Sequence, residues 1–203
     1  MFDYENECQK AGYKVIAGID EAGRGPLAGP VSVAIVVMPL EKDKIIDGVN
    51  DSKKLTEKKR EELYEKIVST AIEYHVELID VDLIDSINIL NATKVGMLAC
   101  INSLKKTLDM VLIDAVKIDA DVPTKSIIKG DALSYSIACA SILAKVTRDR
   151  LMLELDKEYP NYNFKKHKGY GTKEHIENLK KFGPCQIHRK SFIGHFVKVD
   201  DDK

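Results

Sequence analysis

The sequence predicts an α/β fold, and three observations carry it. Five apolar runs have strand length, at 15–19, 31–38, 74–81, 110–113 and 126–128. The longer stretches between them repeat apolar residues at helical spacing. Acids stand where three of the runs give way to loops: Asp20 with Glu21, Asp114 and Asp131. In an open α/β sheet, ligands bind off the ends of the strands where connections reverse.

Taken in order, residues 1–13 are polar and read as a short helix or loop. The runs 15–19 and 31–38 are the first two strands, and Pro39 ends the second. Thr56 reads as an N-cap, with Leu63, Ile67 and Ala71 at helical spacing behind it. The alternating run 74–81 reads as a third strand. One long amphipathic helix is expected over 82–108, carrying Ile87, Leu90, Val95, Leu98, Ile101 and Leu104. Asn88, Asn91 and Lys94 fall near one another on it, as surface or capping residues more naturally than as ligands. Run 110–113 is a buried strand, 126–128 a brief one. A helix from Ser134 to about Glu158 follows, rich in small residues that let it lie close on a sheet. Tyr159-Pro160 stops it. Thr172 caps a last helix over 173–182, closed by Gly183-Pro184, and 199–203 is a charged, frayed end. Nothing divides the chain, so residues 1–203 are expected to form one domain, with about 160–203 a basic helical extension over the substrate groove.

Composition excludes several classes. At 44% apolar and 31% charged, the chain suits a globular protein rather than a disordered one. No apolar run approaches the roughly 18 residues of a membrane span. The acidic N-terminus lacks a signal-peptide profile, so a cytoplasmic location and no membrane partner are expected. Cys8, Cys100, Cys139 and Cys185 have neither CxxC nor zinc spacing. Charge is uneven. From Lys165 to His195, eight Lys or Arg meet two acids, net +6, against −7 in the remainder of a chain of net charge −1. A basic tract beside an acidic body fits phosphates at one face and cations at another.

The most informative stretch opens the chain. The first strand runs into Asp20-Glu21, then Gly23-Arg24-Gly25-Pro26. Gly23 and Gly25 expose backbone N–H groups with no Cβ in the way, and Arg24 adds a charge; a phosphodiester backbone could lie there. Acidic strand ends and glycine turns are also ordinary structure. Ser52, Lys53 and Lys54, before the Thr56 cap, read either as anion contacts or as a solvated cap. Tyr170 reads on its own as a half-buried tyrosine. Asp20, Glu21, Asp114 and Asp131 together would repel one another unless they hold a divalent cation, and oxygen ligands alone point to magnesium or manganese. Adjacent residues on a strand face opposite ways, so Asp20 and Glu21 share a site only if the strand ends at Asp20, or if Glu21 acts through its carbonyl. Two cations about 4 Å apart would activate a water and neutralise the leaving oxygen of an in-line displacement. Arg148 and Asp149 read as a local ion pair or as support for the site.

Residues 18–31, GIDEAGRGPLAGPV, resemble the opening signature of the ribonuclease HII family. Asp51-Ser52-Lys53-Lys54-Leu55, Leu112-Ile113-Asp114, Lys129-Gly130-Asp131-Ala132 with 136–150, His167-Lys168-Gly169-Tyr170-Gly171-Thr172 and the segment 183–192 are similar to its later motifs, so the likeness spans about 15–192. It implies a ribonuclease H-like mixed five-stranded sheet with a helical C-terminal part. It also implies a metal-dependent endoribonuclease that cuts the RNA strand of RNA·DNA hybrids and 5′ of single ribonucleotides in duplex DNA, leaving 3′-hydroxyl and 5′-phosphate ends. The biological roles implied are ribonucleotide excision and primer removal. By that likeness Asp20, Glu21, Asp114 and Asp131 are the catalytic and metal acids, with two Mg2+ or Mn2+ ions in catalysis. Gly23, Arg24 and Gly25 would read a 2′-hydroxyl through the backbone, Tyr170 would stack on the following deoxynucleotide, and Ser52, Lys53, Lys54 and Lys168 would contact substrate. Arg24 favours type HII over HIII, which carries lysine between the glycines. Ala115 departs from the glycine expected after the third acid, and Cys139 from an alanine. A monomer is expected; a sliding clamp is possible but not indicated.

Two other readings stay beside it. A silent binding module would be expected to have lost one of the four acids. A magnesium-dependent phosphatase for small esters would not need the basic tract.

Overall fold

The computed structural model describes residues 1–198; the end expected to fray, 199–203, lies outside the described residues. In chain order the elements are α1 (Asp3–Lys10), β1 (Ile16–Ala22), β2 (Val31–Val37), 3-10 turns at Lys42–Lys44 and Ser52–Lys54, α2 (Glu57–Thr70) and β3 (Glu73–Ile79). Then come α3 (Val81–Ile87), α4 (Ile89–Ser103), β4 (Met110–Asp114), β5 (Thr124–Ile127), α5 (Gly130–Leu133) and α6 (Tyr135–Glu158). The chain ends in α7 (Phe164–His167), α8 (Lys173–Phe182) and α9 (Lys190–Ile193). The sheet order is β3-β2-β1-β4-β5. β1 pairs antiparallel with β2, β2 with β3, and the β1–β4 and β4–β5 pairs are parallel. This is the mixed five-stranded sheet expected.

Alternation along β2 divides the core. Ala34 and Val36 face α2 and α6 with Leu63, Ile67 and Leu143, while Val33, Ile35 and Val37 face α3 and α4 with Ile84, Ala92 and Met97. Both faces are therefore covered, and β2 is apolar throughout. α6 lies directly on β1 because position 18 has no side chain. A Cβ on Gly18 would meet the Ser136 carbonyl carbon at 2.1 Å. That close approach brings the start of α6 beside the end of β1.

Local signals explain most boundaries. The side chains of Thr56, Ser134 and Thr172 cap α2, α6 and α8, accepting from the N–H groups of Lys59, Ile137 and His175. Two expectations need correction. The helix expected over 82–108 is two helices, α3 and α4, broken at Asn88, whose φ is +68°. Asn88 caps α4 by accepting from Leu90 and Asn91, so it is a capping residue, not a ligand. The first strand does not stop at Ile19. β1 continues through both acids, with Glu21 opposite Val33 and Ala22 opposite Ser32.

Candidate active site

The register of the parallel pair explains why two acids meet. Ile19 pairs with Ile113, so Asp20 and Asp114 stand side by side where the parallel pairing of β1 and β4 ends. The backbone N–H of Gly130 donates to Asp114 Oδ1 at 2.6 Å, which pins the start of α5 and brings Asp131 to the same place. Asp20, Asp114 and Asp131 each present an oxygen within 4.8 Å of the others. Asp20 and Asp131 are buried and Asp114 half-buried. Ser141 on α6 stands near enough to Asp20 to ease its charge, and its Oγ lies 2.8 Å from Ser52 Oγ.

Glu21 does not join this cluster. β1 runs on, and the Glu21 carboxylate pairs with Arg24 at 3.4 Å while its charge still bears on Asp20. Of the two routes by which Glu21 could share the site, an early strand end is thus absent. Its N–H donates to Asp20 Oδ1 at 2.7 Å.

Crowded burial raises the acids. Asp20 is pushed well above the usual carboxylate range by burial first, then by Glu21 and Asp114. Burial, then Asp114 and Asp51, raise Asp131. Glu21 is raised by burial against the opposing pull of Arg24. Lys53 Nζ lies 3.8 Å from Asp131. Burial works against its charge, but Asp131, Asp20 and other acids outweigh it and hold the ammonium above its ordinary range. Carboxylates converging on one point suit a divalent cation, whose charge offsets their mutual repulsion.

The glycine loop beside the acids is held from beneath by two fully buried arginines. Arg189 donates to the carbonyls of Gly23 at 2.6 Å, Arg24 at 2.9 Å and Gly29 at 2.8 Å. Arg148 donates to Ala28 at 3.0 Å, Pro30 at 2.9 Å and Lys168 at 2.9 Å. In a trans peptide the carbonyl and the next N–H point opposite ways. With the Gly23 and Arg24 carbonyls drawn inward, the N–H groups of Arg24 and Gly25 are turned outward. Gly23 has φ +96°, and a Cβ there would meet Arg148 Nε at 2.0 Å. Of the two readings of Arg148 and Asp149, the mutual ion pair is not formed, and Arg148 supports the loop from beneath. Asp149 instead binds Lys145 at 2.7 Å and Arg60 at 3.9 Å.

The loop, the Ser52 turn and Tyr170 enclose a groove of about 210 Å3, lined among others by Glu21, Gly23, Gly25, Lys53, Lys145 and Tyr170. Tyr170 is 43% exposed, and its ring faces Gly25. Ser52 lines this groove yet is itself buried. Lys54 turns toward Asp51 at 3.8 Å, and the Lys168 ammonium folds back onto the Lys165 carbonyl; neither lines the groove.

Ser141, Lys145 and Arg189 were not singled out from sequence, and Arg148 was noted without its loop-clamping role. A usable signal existed for Arg148. It lies four residues after Ala144 and four before Met152, on the buried stripe of α6, where a charge demands partners.

Fold and site together define a class: a ribonuclease H-like α/β protein with a carboxylate cluster suited to metal-dependent phosphodiester hydrolysis. Solved structures agree. A ribonuclease H2 from Pyrococcus horikoshii OT3 superposes with TM-score 0.75 at 27% identity, covering 92% of this chain and 100% of that one. The ribonuclease HII of a PCNA complex from Archaeoglobus fulgidus superposes with TM-score 0.72 at 28% identity, covering 83% and 88%. The family model Ribonuclease HII matches residues 17–195. A ribonuclease HII of Caldicellulosiruptor bescii is 55% identical over 199 residues, 98% of this chain and 96% of that protein. The chain belongs to the ribonuclease HII family, and is thereby a metal-dependent ribonuclease, a hydrolase.

Proposed function

We propose that this enzyme hydrolyses the RNA strand of RNA·DNA hybrids and also cuts 5′ of a single ribonucleotide embedded in duplex DNA, with roles in ribonucleotide excision and primer removal. The observation that carries the reading is the carboxylate cluster next to a loop whose carbonyls are turned inward. Asp20, Asp114 and Asp131 hold divalent metal, Mg2+ or Mn2+, and Glu21 contributes from the neighbouring strand position. When bound, two such ions supply water activation and charge neutralisation at the scissile phosphate. The outward N–H groups of Arg24 and Gly25 bind the 2′-hydroxyl, which marks RNA without regard to base. Tyr170 stacks on the sugar of the next deoxynucleotide, where a 2′-hydroxyl would crowd the ring. Lys53 and Lys145 meet phosphate at the groove, and Ser52 acts by holding Ser141 against Asp20. The basic C-terminal part follows the duplex backbone. A relative forms a PCNA complex, so a sliding clamp is a candidate partner to assay.

The test is Asp114→Asn. The variant is expected to lose metal-dependent cleavage while still binding hybrid in a gel-shift assay. Retained cleavage would overturn the metal-site assignment.

A further inference from the structure

His167, His175 and His188 are 7%, 0% and 2% exposed, packed around Phe164 and Tyr162. Their protons can be assigned in sequence. A carbonyl only accepts, so His175 Nδ1, 2.9 Å from the Tyr170 carbonyl, carries a hydrogen. His175 Nε2 is then a lone pair, and His188 Nε2, 3.1 Å away, donates to it. That leaves His188 Nδ1 as an acceptor, and it lies 3.0 Å from the Cys185 N–H and 3.1 Å from the Cys185 thiol. The hydrogen bonds thus run one way, from Cys185 through His188 and His175 to Tyr170. Burial lowers the pKa of both His175 and His188 to about 4, which keeps both lone pairs available near neutrality. His167 fixes the near side, with Nε2 donating to the Tyr162 carbonyl at 2.9 Å, Nδ1 accepting from Gly169 at 3.3 Å, and its ring stacked on His175.

We propose that His175 is a positioning residue: the directed chain from Cys185 and His188 holds the Tyr170 backbone so that its exposed ring stands against the glycine loop, and this sets the preference for an RNA-to-DNA step. The inference rests on the role given to Tyr170 above. A hybrid without that step makes little use of the ring, so the effect is on selectivity rather than on all cleavage.

The experiment compares kcat/KM on a duplex with one ribonucleotide and on an all-RNA hybrid, for wild type, Tyr170→Ala, His175→Leu and His175→Asn. His175→Leu is expected to lose about tenfold on the single-ribonucleotide substrate, mainly in KM, and about twofold or less on the hybrid. His175→Asn, whose amide nitrogen takes the place of Nδ1, is expected to recover most of the loss. If Tyr170→Ala changes the ratio and His175→Leu does not, the positioning role is overturned while the Tyr170 reading stands. An unchanged ratio in Tyr170→Ala overturns that reading, and the proposal with it. Should His175→Leu fail to fold, ring nitrogen chemical shifts of the wild type decide. Hydrogen on His175 Nδ1 and His188 Nε2 supports the chain; hydrogen on His175 Nε2 overturns it.

Discussion

Asp20→Asn should make the metal-free protein more stable while weakening its hold on metal. The oxygens of Asp20, Asp114 and Asp131 lie within 4.8 Å of one another. Two unit charges at 4.8 Å repel by about 3.5 kcal/mol at an effective dielectric of about 20. Asp114 is half-buried, so screening reduces this to about 2–3 kcal/mol. Asparagine keeps the shape, and its oxygen still accepts from the Glu21 N–H while its amide meets Ser141. The sign follows from the raised folded-state pKa of Asp20. Stability tied to its proton is present at low pH and is lost as pH rises through that raised value. In urea unfolding with chelator, the variant should exceed wild type at pH 8, and the gap should narrow at pH 5. Saturating Mn2+ should then stabilise wild type by about 3 kcal/mol at a hundred times Kd and the variant far less. A variant no more stable than wild type at pH 8 in chelator would refute the reasoning, showing that Ser141 and the Glu21 N–H already offset the charge.

Ala115 holds φ +50° where its family resemblance led to glycine. Ala115→Gly is therefore expected to stabilise the protein by about 1 kcal/mol in urea unfolding, with β4–β5 pairing intact. His175 and His188 are each lowered from 6.5 to about 4. The unfolded chain takes up their protons first, so stability present above pH 6.5 should fall as pH drops toward 4, by about 3 kcal/mol per ring. A flat acid limb in denaturant midpoints between those values, or a limb of undiminished depth in His175→Leu, would contradict the neutral cluster.

The parts legible in the sequence were those set by neighbours in the chain. Thr56, Ser134 and Thr172 cap helices through contacts three residues away, and the periodicity behind each was plain. The break at Asn88 was hidden because Ile87 and Leu90 continue the apolar repeat across it, while the turn depends on one left-handed residue. β1 was cut short because charge was taken to end a strand, whereas β2 goes on pairing with it to Ala22. Asp20 and Asp114 were recognisable as acids following apolar runs, whereas Asp131 lies on α5, beyond the end of β5. The divergence of Glu21 was foreseeable from alternation alone. The role of Arg189 was not. Arg189 acquires its meaning from carbonyls of Gly23 and Arg24, brought from the other end of the chain. The basic tract likewise conceals its buried members, since Arg189 counts as positive charge in sequence and serves as an internal clamp in the fold.

The central claim joins a metal-binding acid cluster to a loop that senses one ribose. It is tested most directly by an end-labelled DNA duplex carrying one ribonucleotide, incubated with Mg2+, with Mn2+ and with chelator, beside an all-DNA control. The account predicts a single metal-dependent cut 5′ of the ribonucleotide, with a 3′-hydroxyl end and the control intact. Cleavage of long hybrids but not of this duplex would contradict the sugar-reading roles of the loop and Tyr170. Binding of both without cleavage of either would contradict the catalytic reading itself.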